Sequence, residues 1–366
     1  MGTFGNLQNS QVTDRQAMTC TTTTPTRIDL AGGTLDVWPL APILQEKCEL
    51  WNEPLQTLNV AINLKATAQV ILRPAREFQF TFTDQMSNIT ETGTTLDNAS
   101  AARFSLHRAV ARYYLREALK QGLGHLEISS NAQAPKGSGL GGSSSLVVAM
   151  LACFEHLLHQ KSSDRARICQ MAQNLEAGVL GNLAGNQDHY GAAFGGVQAV
   201  QHSATGTTSK QLRCDGNALL SRLVLAHSGQ QHFSAFNNWL ILEKVLTGHQ
   251  EILEKCAAIA RIAHSLVNPL EQGNWAQVAQ LMTDEWKIRR TLAPGITTDV
   301  LNTLYNTGIE AGAAGGKVCG AGGGGVLVLM LRSPEDRTAV SQAISQAGGI
   351  LLPTTFNSTG IEIVAQ

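Results

Sequence analysis

A chain of 366 residues exceeds what one compact core usually holds, so two domains are expected. Apolar residues at 43% and charged residues at 15% describe a globular protein with ample core, and a net charge of −1 leaves no basic field for nucleic acid. The sequence has no run of about 18 apolar residues, no charged-then-apolar leader and no C-x-x-C among seven scattered cysteines, so a membrane span, a signal peptide, a disulfide scaffold and a zinc site are all unexpected and a cytoplasmic setting is the expectation.

Residues 1–20 are polar and aperiodic and predict a tail. Thr21–Thr26 suits a strand stopped by Pro25. Arg27-Ile28-Asp29-Leu30 then runs into a Gly32-Gly33 turn carrying Asp36, which reads as a β-turn whose aspartate caps the next element. Residues 41–56 are irregular. Residues 58–62, 68–72 and 78–82 predict strands, 84–98 a polar loop, and 99–120 a helix on which Arg103, Arg108, Arg112 and Arg116 form a solvated face.

Residues 124–130 alternate like a half-buried strand, and 146–154 are apolar like a buried helix. Between them lies Pro135-Lys136-Gly137-Ser138-Gly139-Leu140-Gly141-Gly142-Ser143-Ser144-Ser145. Glycines let backbone N–H groups face an anion, and a helix N-terminus adds unpaired donors and the positive end of its dipole. The serines can cap the helix, bind a phosphate oxygen or ligate magnesium. Taken alone, the stretch reads more readily as a tight turn or linker than as a phosphate site, and its spacing is neither a Walker A nor a Rossmann loop.

Farther on, 164–180 predicts a helix carrying Glu176, and 185–196 a glycine-rich turn in which Asp188 caps a helix or forms an Asx turn and His189 is structural. Residues 201–216 read as a polar domain boundary and 223–227 as a strand. Helices are predicted over 237–267, 275–290 and 299–311. The glycine run 315–325 leads into strand 326–331, Ser333–Asp336 opens a capped helix, and 361–364 ends the chain as a strand.

The loop Pro135–Ser145 resembles the second signature of the GHMP kinases, matching at Pro135, Gly139, Leu140, Gly141 and Ser143, with Gly142 in place of a serine. Arg27, Gly32, Gly33 and Asp36 resemble the first signature, in the form kept by the sugar-1-kinase branch of fucokinases and heptose 7-phosphate kinases. There Thr34-Leu35 departs from the usual glycine or tryptophan followed by threonine. Lys317, Gly320, Ala321 and Gly322–Gly325 resemble the third signature.

The resemblance implies an α+β fold: an N-terminal domain like ribosomal protein S5 domain 2 (residues 21–205), a C-terminal ferredoxin-like domain (217–366) and a site in the cleft between them. It implies an ATP- and magnesium-dependent kinase acting on a sugar or sugar phosphate, most readily the anomeric hydroxyl of a heptose 7-phosphate-like acceptor. Pro135, Gly137, Ser138, Gly139, Leu140, Gly141, Gly142, Ser143 and Ser144 would hold the nucleotide. Ser143 and Glu176 would bind magnesium, and Asp188 would be the base with Arg27 beside it. Asp36, Gly32, Gly33, Gly322 and Gly323 would meet the acceptor. A phosphorylated acceptor predicts a basic subsite, with Arg103, Arg108, Lys287, Arg289 and Arg290 as candidates. The alternatives are a non-catalytic sugar and nucleotide sensor on the same fold, or a kinase for another alcohol such as mevalonate. A homodimer is compatible with all of these.

Overall fold

Period-two alternation carries most of the N-terminal half into one sheet. The computed structural model describes residues 16–47, 55–96, 102–159, 164–181, 183–230 and 234–365. Its strands are β1 (Met18–Ala31), β2 (Leu55–Arg73), β3 (Gln79–Asp84), β4 (Ile89–Gly93), β5 (His125–Ala132), β6 (Val197–Ser203), β7 (Gly206–Gln211), β8 (Leu223–His227), β9 (Ala313–Val318), β10 (Val326–Leu331), β11 (Ile350–Leu352) and β12 (Glu362–Ala365). Its helices are α1 (Leu40–Lys47), α2 (Ser105–Lys120), α3 (Gly142–His159), α4 (Arg165–Leu180), α5 (Gln187–Phe194), α6 (Gly216–Leu220), α7 (Ser234–Leu246), α8 (Gln250–Gln272), α9 (Trp275–Arg289), α10 (Asp299–Glu310) and α11 (Arg337–Gln346).

Eight strands form the first sheet, in the path β12-β1-β2-β5-β3-β4 with the β6–β7 hairpin attached to β2. Helix α3 packs on β1 and β2 and is sheathed by α2, α4 and α5. Its residues Val147 to Phe154 are all 0–1% exposed, so this is the centre of the first core. By length and composition α3 alone among the described helices could cross a membrane, but most of it is buried in protein. The second sheet has the order β11-β8-β10-β9. A third apolar cluster joins the two sheets, with Ile28, Leu30, Leu58 and Val60 meeting Leu225, Leu266, Met282 and Val326. The domains therefore share a continuous apolar seam, and the cleft opens beside it.

Several elements differ from the sequence expectation for identifiable reasons. Strand β1 continues through Pro25 because the pairing with β2 shifts between Pro25 and Thr26, a bulge that spares the missing N–H. The separate strands at 58–62 and 68–72 are one strand of 19 residues. β4 and β7 lie where polar loops were expected, since neither buries a face that alternation could reveal. Helix α1 occupies part of the irregular segment; Pro42 sits in its first turn, where no N–H is required; residues 48–54, including Trp51, lie outside the described residues, and Leu55 and Gln56 open β2. The long helix at 237–267 is two helices, broken where Gly248 takes φ +73°.

The expected domain limits also shift. Thr205 lies in the β6–β7 hairpin turn, so that hairpin extends the first sheet to Gln211. β12 is antiparallel to β1, pairing Cys20 with Ala365 and Thr23 with Glu362. Lys65 and Glu362 add an ion pair of 2.5 Å across that edge. The chain therefore returns to its first sheet instead of ending in the second. Met18–Cys20, expected in the tail, already belong to β1.

Candidate active site

The strand β5, the glycine loop and α3 form one wall of a cleft of about 820 Å3. Gly137, Gly139 and Gly141 take φ of +70°, +74° and +79°, the left-handed region in which a side chain is costly. Close approach is the second constraint. A Cβ on Gly139 would stand 2.6 Å from the Cys319 carbonyl oxygen, and one on Gly320 would stand 2.7 Å from the Gly139 Cα. The Val326 N–H donates to the Ser138 carbonyl at 2.9 Å. The second and third glycine segments thus pack backbone against backbone, and each fixes the other. Every predicted loop position from Pro135 to Ser144 except Leu140 lines the cleft. Leu140 is fully buried, and its carbonyl accepts the Arg27 N–H at 3.1 Å.

Behind the loop, three donors converge on one carboxylate. Ser143 Oγ donates to Glu176 Oε1, Ser144 Oγ to Oε2 at 2.7 Å, and His189 Nε2 meets Oε2 at 2.9 Å. Burial pushes the Glu176 carboxyl up, but the His189 hydrogen bond and the serines outweigh it and hold the group below the ordinary carboxylate range. His189 is fully buried and acts as a support for Glu176, in keeping with its expected structural role.

Arg27 on β1 faces Asp188 in the first turn of α5. Arg27 Nε donates to Asp188 Oδ1 at 2.8 Å and Nη2 donates to the same oxygen, while Nη1 donates to the Gly139 carbonyl at 2.6 Å. A Cβ on Gly141 would stand 3.1 Å from Asp188 Oδ2, so the carboxylate lies directly against the loop. Asp188 is 22% exposed and Arg27 3%, leaving the acid as the reachable member of the pair. Asp188 does not cap the helix: Asn186 holds the N-cap position.

Asp36 reaches across to the same helix. Its Oδ2 accepts the Gln187 backbone N–H and its Oδ1 the Gln187 side-chain amide, each at 3.3 Å. Asp36 therefore serves the start of α5 instead of the segment next to it in sequence. Burial, with the Asp188 charge nearby, pushes the Asp36 carboxyl up to about 6.

Beneath the Gly32-Gly33 turn lies a buried ion cluster. Asp29 Oδ2 accepts from Arg289 Nη1 at 2.7 Å, Lys317 Nζ stands 3.2 Å from Asp29 Oδ1 and 3.0 Å from Glu285 Oε1, and Arg289 Nη2 donates to the Gly320 carbonyl. All four side chains are 0–2% exposed. Burial raises the Asp29 carboxyl, but Lys317 and Arg289 overcome it and hold the group at about 2. No spacing in the sequence marked Asp29 or Glu285.

Some expected site residues lie elsewhere. Gly32 and Gly33 do not line the cleft; a Cβ on Gly33 would strike Asp29 and Arg289. Gly322 and Gly323 turn away onto Ile296, whose carbonyl accepts the Gly323 N–H at 2.8 Å. Thr34, Gly320 and Ala321 line the cleft in their place, with Asn238. The five basic candidates do not gather. Arg108 pairs with Glu91, Lys287 with Asp284 at 3.0 Å, Arg290 donates to Asn302 at 3.0 Å, and Arg289 belongs to the buried cluster. Of the five, only Arg103 and Arg289 line the cleft. Arg103 does so on a wall shared with Asp84, the buried His107 and Ser130, a grouping that the sequence did not disclose.

Two family descriptions match the chain in order: GHMP kinases N terminal domain over residues 105–196 and GHMP kinases C terminal over residues 266–350. A D-glycero-alpha-D-manno-heptose 7-phosphate kinase from Campylobacter jejuni is 25% identical over 357 residues, covering 94% of this chain and 98% of that protein. An L-fucokinase/L-fucose-1-P guanylyltransferase from Bacteroides fragilis is 23% identical over 88% of this chain but only 35% of that longer protein. The crystal structure of a D-glycero-D-manno-heptose 1-phosphate kinase from Bacteroides thetaiotaomicron superposes with a TM-score of 0.73 at 22% identity, over 94% of this chain and 98% of that one. With both matches in order, and the glycine loop and third glycine segment packed together between them, the chain carries a GHMP kinases N terminal domain and a GHMP kinases C terminal domain.

Proposed function

We propose that the protein is an ATP-dependent kinase that phosphorylates a sugar or sugar phosphate, at the anomeric hydroxyl of a heptose 7-phosphate-like acceptor. The observation that carries this reading is the Arg27–Asp188 pair pressed against the glycine loop. A carboxylate held against a glycine loop in this way supports a meeting there of a nucleotide's terminal phosphate and an acceptor hydroxyl. The heptose and fucose kinases among the relatives favour a sugar over mevalonate.

The loop N–H groups and the start of α3 hold the nucleotide phosphates. Asp188 accepts the acceptor's proton as its oxygen bonds to phosphorus, and the bond from that phosphorus to the departing ADP oxygen breaks. Arg27 orients Asp188 and offers positive charge to the transferring group. Ser143, Ser144 and Glu176 fit a magnesium ion: they are hard oxygen donors, Glu176 favours its charged form, and each hydroxyl that gives its proton to Glu176 keeps oxygen lone pairs for a cation. Magnesium bound there would neutralise charge on the phosphates. The six described cysteines are free thiols, which supports a cytoplasmic setting.

The test is ADP release from ATP and magnesium across a panel of free and phosphorylated sugars. Turnover with a sugar is expected. A melting temperature raised by ATP with no turnover on any sugar would favour the sensor reading.

Asp36 gives a pH prediction. Above about 6 it is charged and accepts hydrogen bonds from sugar hydroxyls; below, it is neutral. Acceptor kcat/KM is expected to fall as pH drops through about 6, and Asp36→Asn to lower kcat/KM and erase that limb. The stability sign is opposite. A carboxyl raised in the fold costs stability once ionised, a penalty that grows as pH rises from the ordinary carboxylate value through about 6. Asp36→Asn should therefore melt no lower than wild type at neutral pH. An unaltered pH limb in the variant would remove Asp36 from acceptor binding.

A further inference from the structure

We infer that Cys20 and Cys153 form a reversible oxidation site, a thiol pair that small peroxides close into a disulfide between β1 and α3, reached by opening of β12. The inference stands apart from the kinase reading and holds or fails without it.

The two cysteines meet in the first core across 133 residues of chain. Both are fully buried, as is Thr22 beside them. Cys153 Sγ stands 3.2 Å from Thr22 Oγ1, 3.4 Å from the Cys20 carbonyl oxygen and 3.4 Å from the Ala68 carbonyl oxygen. Cys20 Sγ stands 3.8 Å from the same Thr22 oxygen. Cys20 and Thr22 are two apart on β1 and so point to the same face of the sheet, the one that α3 covers. The residue opposite Thr22 on β2 is Ala68, a small side chain that leaves room for strand and helix to close.

A buried cysteine is ordinarily an inert small hydrophobe. Here the two thiols are chemically different. The Cys153 hydrogen bond pulls the Cys20 thiol below its ordinary value and outweighs burial, whereas burial pushes the Cys153 thiol up. Burial pushes up Cys169, Cys214 and Cys319 as well. Cys20 is therefore the attacking thiol of the pair, and Cys153 the one that resolves it.

Access comes from the sheet edge. β12 is an edge strand of four residues, and it covers this part of β1: Ala365 pairs with Cys20 and Ile363 with Thr22. Directly opposed residues share a face, so Ile363 lies beside Thr22 on the α3 side, where it packs against the first core. A short edge strand opens locally at far lower free energy than the core, and its opening uncovers the pair.

The chemistry balances with peroxide alone. The Cys20 sulfur attacks one peroxide oxygen, the O–O bond breaks, and the leaving hydroxide takes the thiol proton as water, which leaves a sulfenic acid. The Cys153 sulfur then attacks the Cys20 sulfur. The S–S bond forms, the S–O bond breaks, and the second hydroxide leaves as water with the Cys153 proton. The thiol pair loses two electrons and the peroxide gains them.

The test treats the reduced full chain with hydrogen peroxide, quenches with catalase, alkylates free thiols in denaturant and maps the peptides by mass spectrometry. A Cys20–Cys153 cross-linked peptide is expected, lighter by two hydrogens than the reduced pair and fully reversed by dithiothreitol. Cys153→Ala is expected to abolish the cross-link and let Cys20 run on to the sulfinic acid, which dithiothreitol does not reverse. Ile363→Ala loosens β12 and is expected to form the disulfide at least about threefold faster than wild type. The wild-type peptide map decides the pairing without either variant. Both cysteines recovered alkylated after peroxide, or Cys20 as sulfinic acid with Cys153 alkylated in the wild type, overturns the inference. Equal rates in Ile363→Ala and wild type overturn the route through β12.

Discussion

Asp188→Asn is expected to lower kcat by two or more orders of magnitude while ATP KM stays within about twofold. The substitution keeps the side chain's shape and removes its capacity to take a proton. Loop geometry should survive, because Arg27 holds it through other contacts. Its Nη1 donates to the Gly139 carbonyl at 2.6 Å, and its backbone N–H donates to the Leu140 carbonyl at 3.1 Å. Neither bond involves Asp188. The amide oxygen of the substituted side chain can still accept from Arg27 Nε, so the guanidinium keeps its position with one charge unopposed. The loss should therefore appear in the chemical step and not in nucleotide binding, and an ATP-induced rise in melting temperature measures the second independently. Normal turnover by the Asn variant would show that the proton leaves by another route.

Legibility in the sequence tracks chain locality. The glycine loop, its serines and α3 are contiguous, so residue type and spacing disclosed a strand, a glycine turn and a buried helix in order, while a phosphate cradle was favoured only through the resemblance. Glu176 and Asp188 were recognisable only through the family order, because an acid on a helix or in a turn has several ordinary uses. In the fold, Ser143, Ser144 and His189 bond Glu176, and Arg27 bonds Asp188.

The illegible part is of two kinds. Asp29 and Arg289 meet across 260 residues of chain, and no local pattern encodes such a pairing. Arg289 consequently read as a phosphate-binding candidate when it serves a buried acid. Conformation is the second kind. Thr34 takes φ +83° although its residue type argues against it, and in the run Gly320–Gly325 composition cannot say which glycines face the cleft. Contacts with Gly139 on one side and Ile296 on the other decide it. The β4 and β7 strands were hidden for a related reason: exposed hairpin arms show no apolar face.

Lys317→Met should produce the largest loss of stability, about 3–5 kcal/mol, because it removes one partner from a buried ion cluster and leaves two buried acids to share the one cation Arg289. The wild-type cluster balances two acids, Asp29 and Glu285, against Arg289 and Lys317. Lys317 is the cation paired with Asp29 Oδ1, and it shares Glu285 Oε1 with Arg289. The wild-type sign comes from Asp29. A carboxyl held at about 2 contributes stability above its ordinary value, and that contribution is lost as pH falls through the region between them. In Lys317→Met the balance shifts the other way: the largest charge lowering the Asp29 carboxyl is lost, burial weighs more against its ionised form, and lowering the pH relieves part of the penalty by protonating it. The melting-temperature deficit against wild type should therefore be larger at pH 8 than at pH 5. Equal deficits at the two pH values would mean that lost packing of the lysine stem, and not the buried charge, sets the cost. The cluster ties β1 of the first sheet to α9 and β9 of the second domain, and through Arg289 it holds the Gly320 carbonyl beside the glycine loop. Loosening it should thus also raise ATP KM in whatever fraction of the variant remains folded at pH 8, joining the stability of the seam to the shape of the cleft.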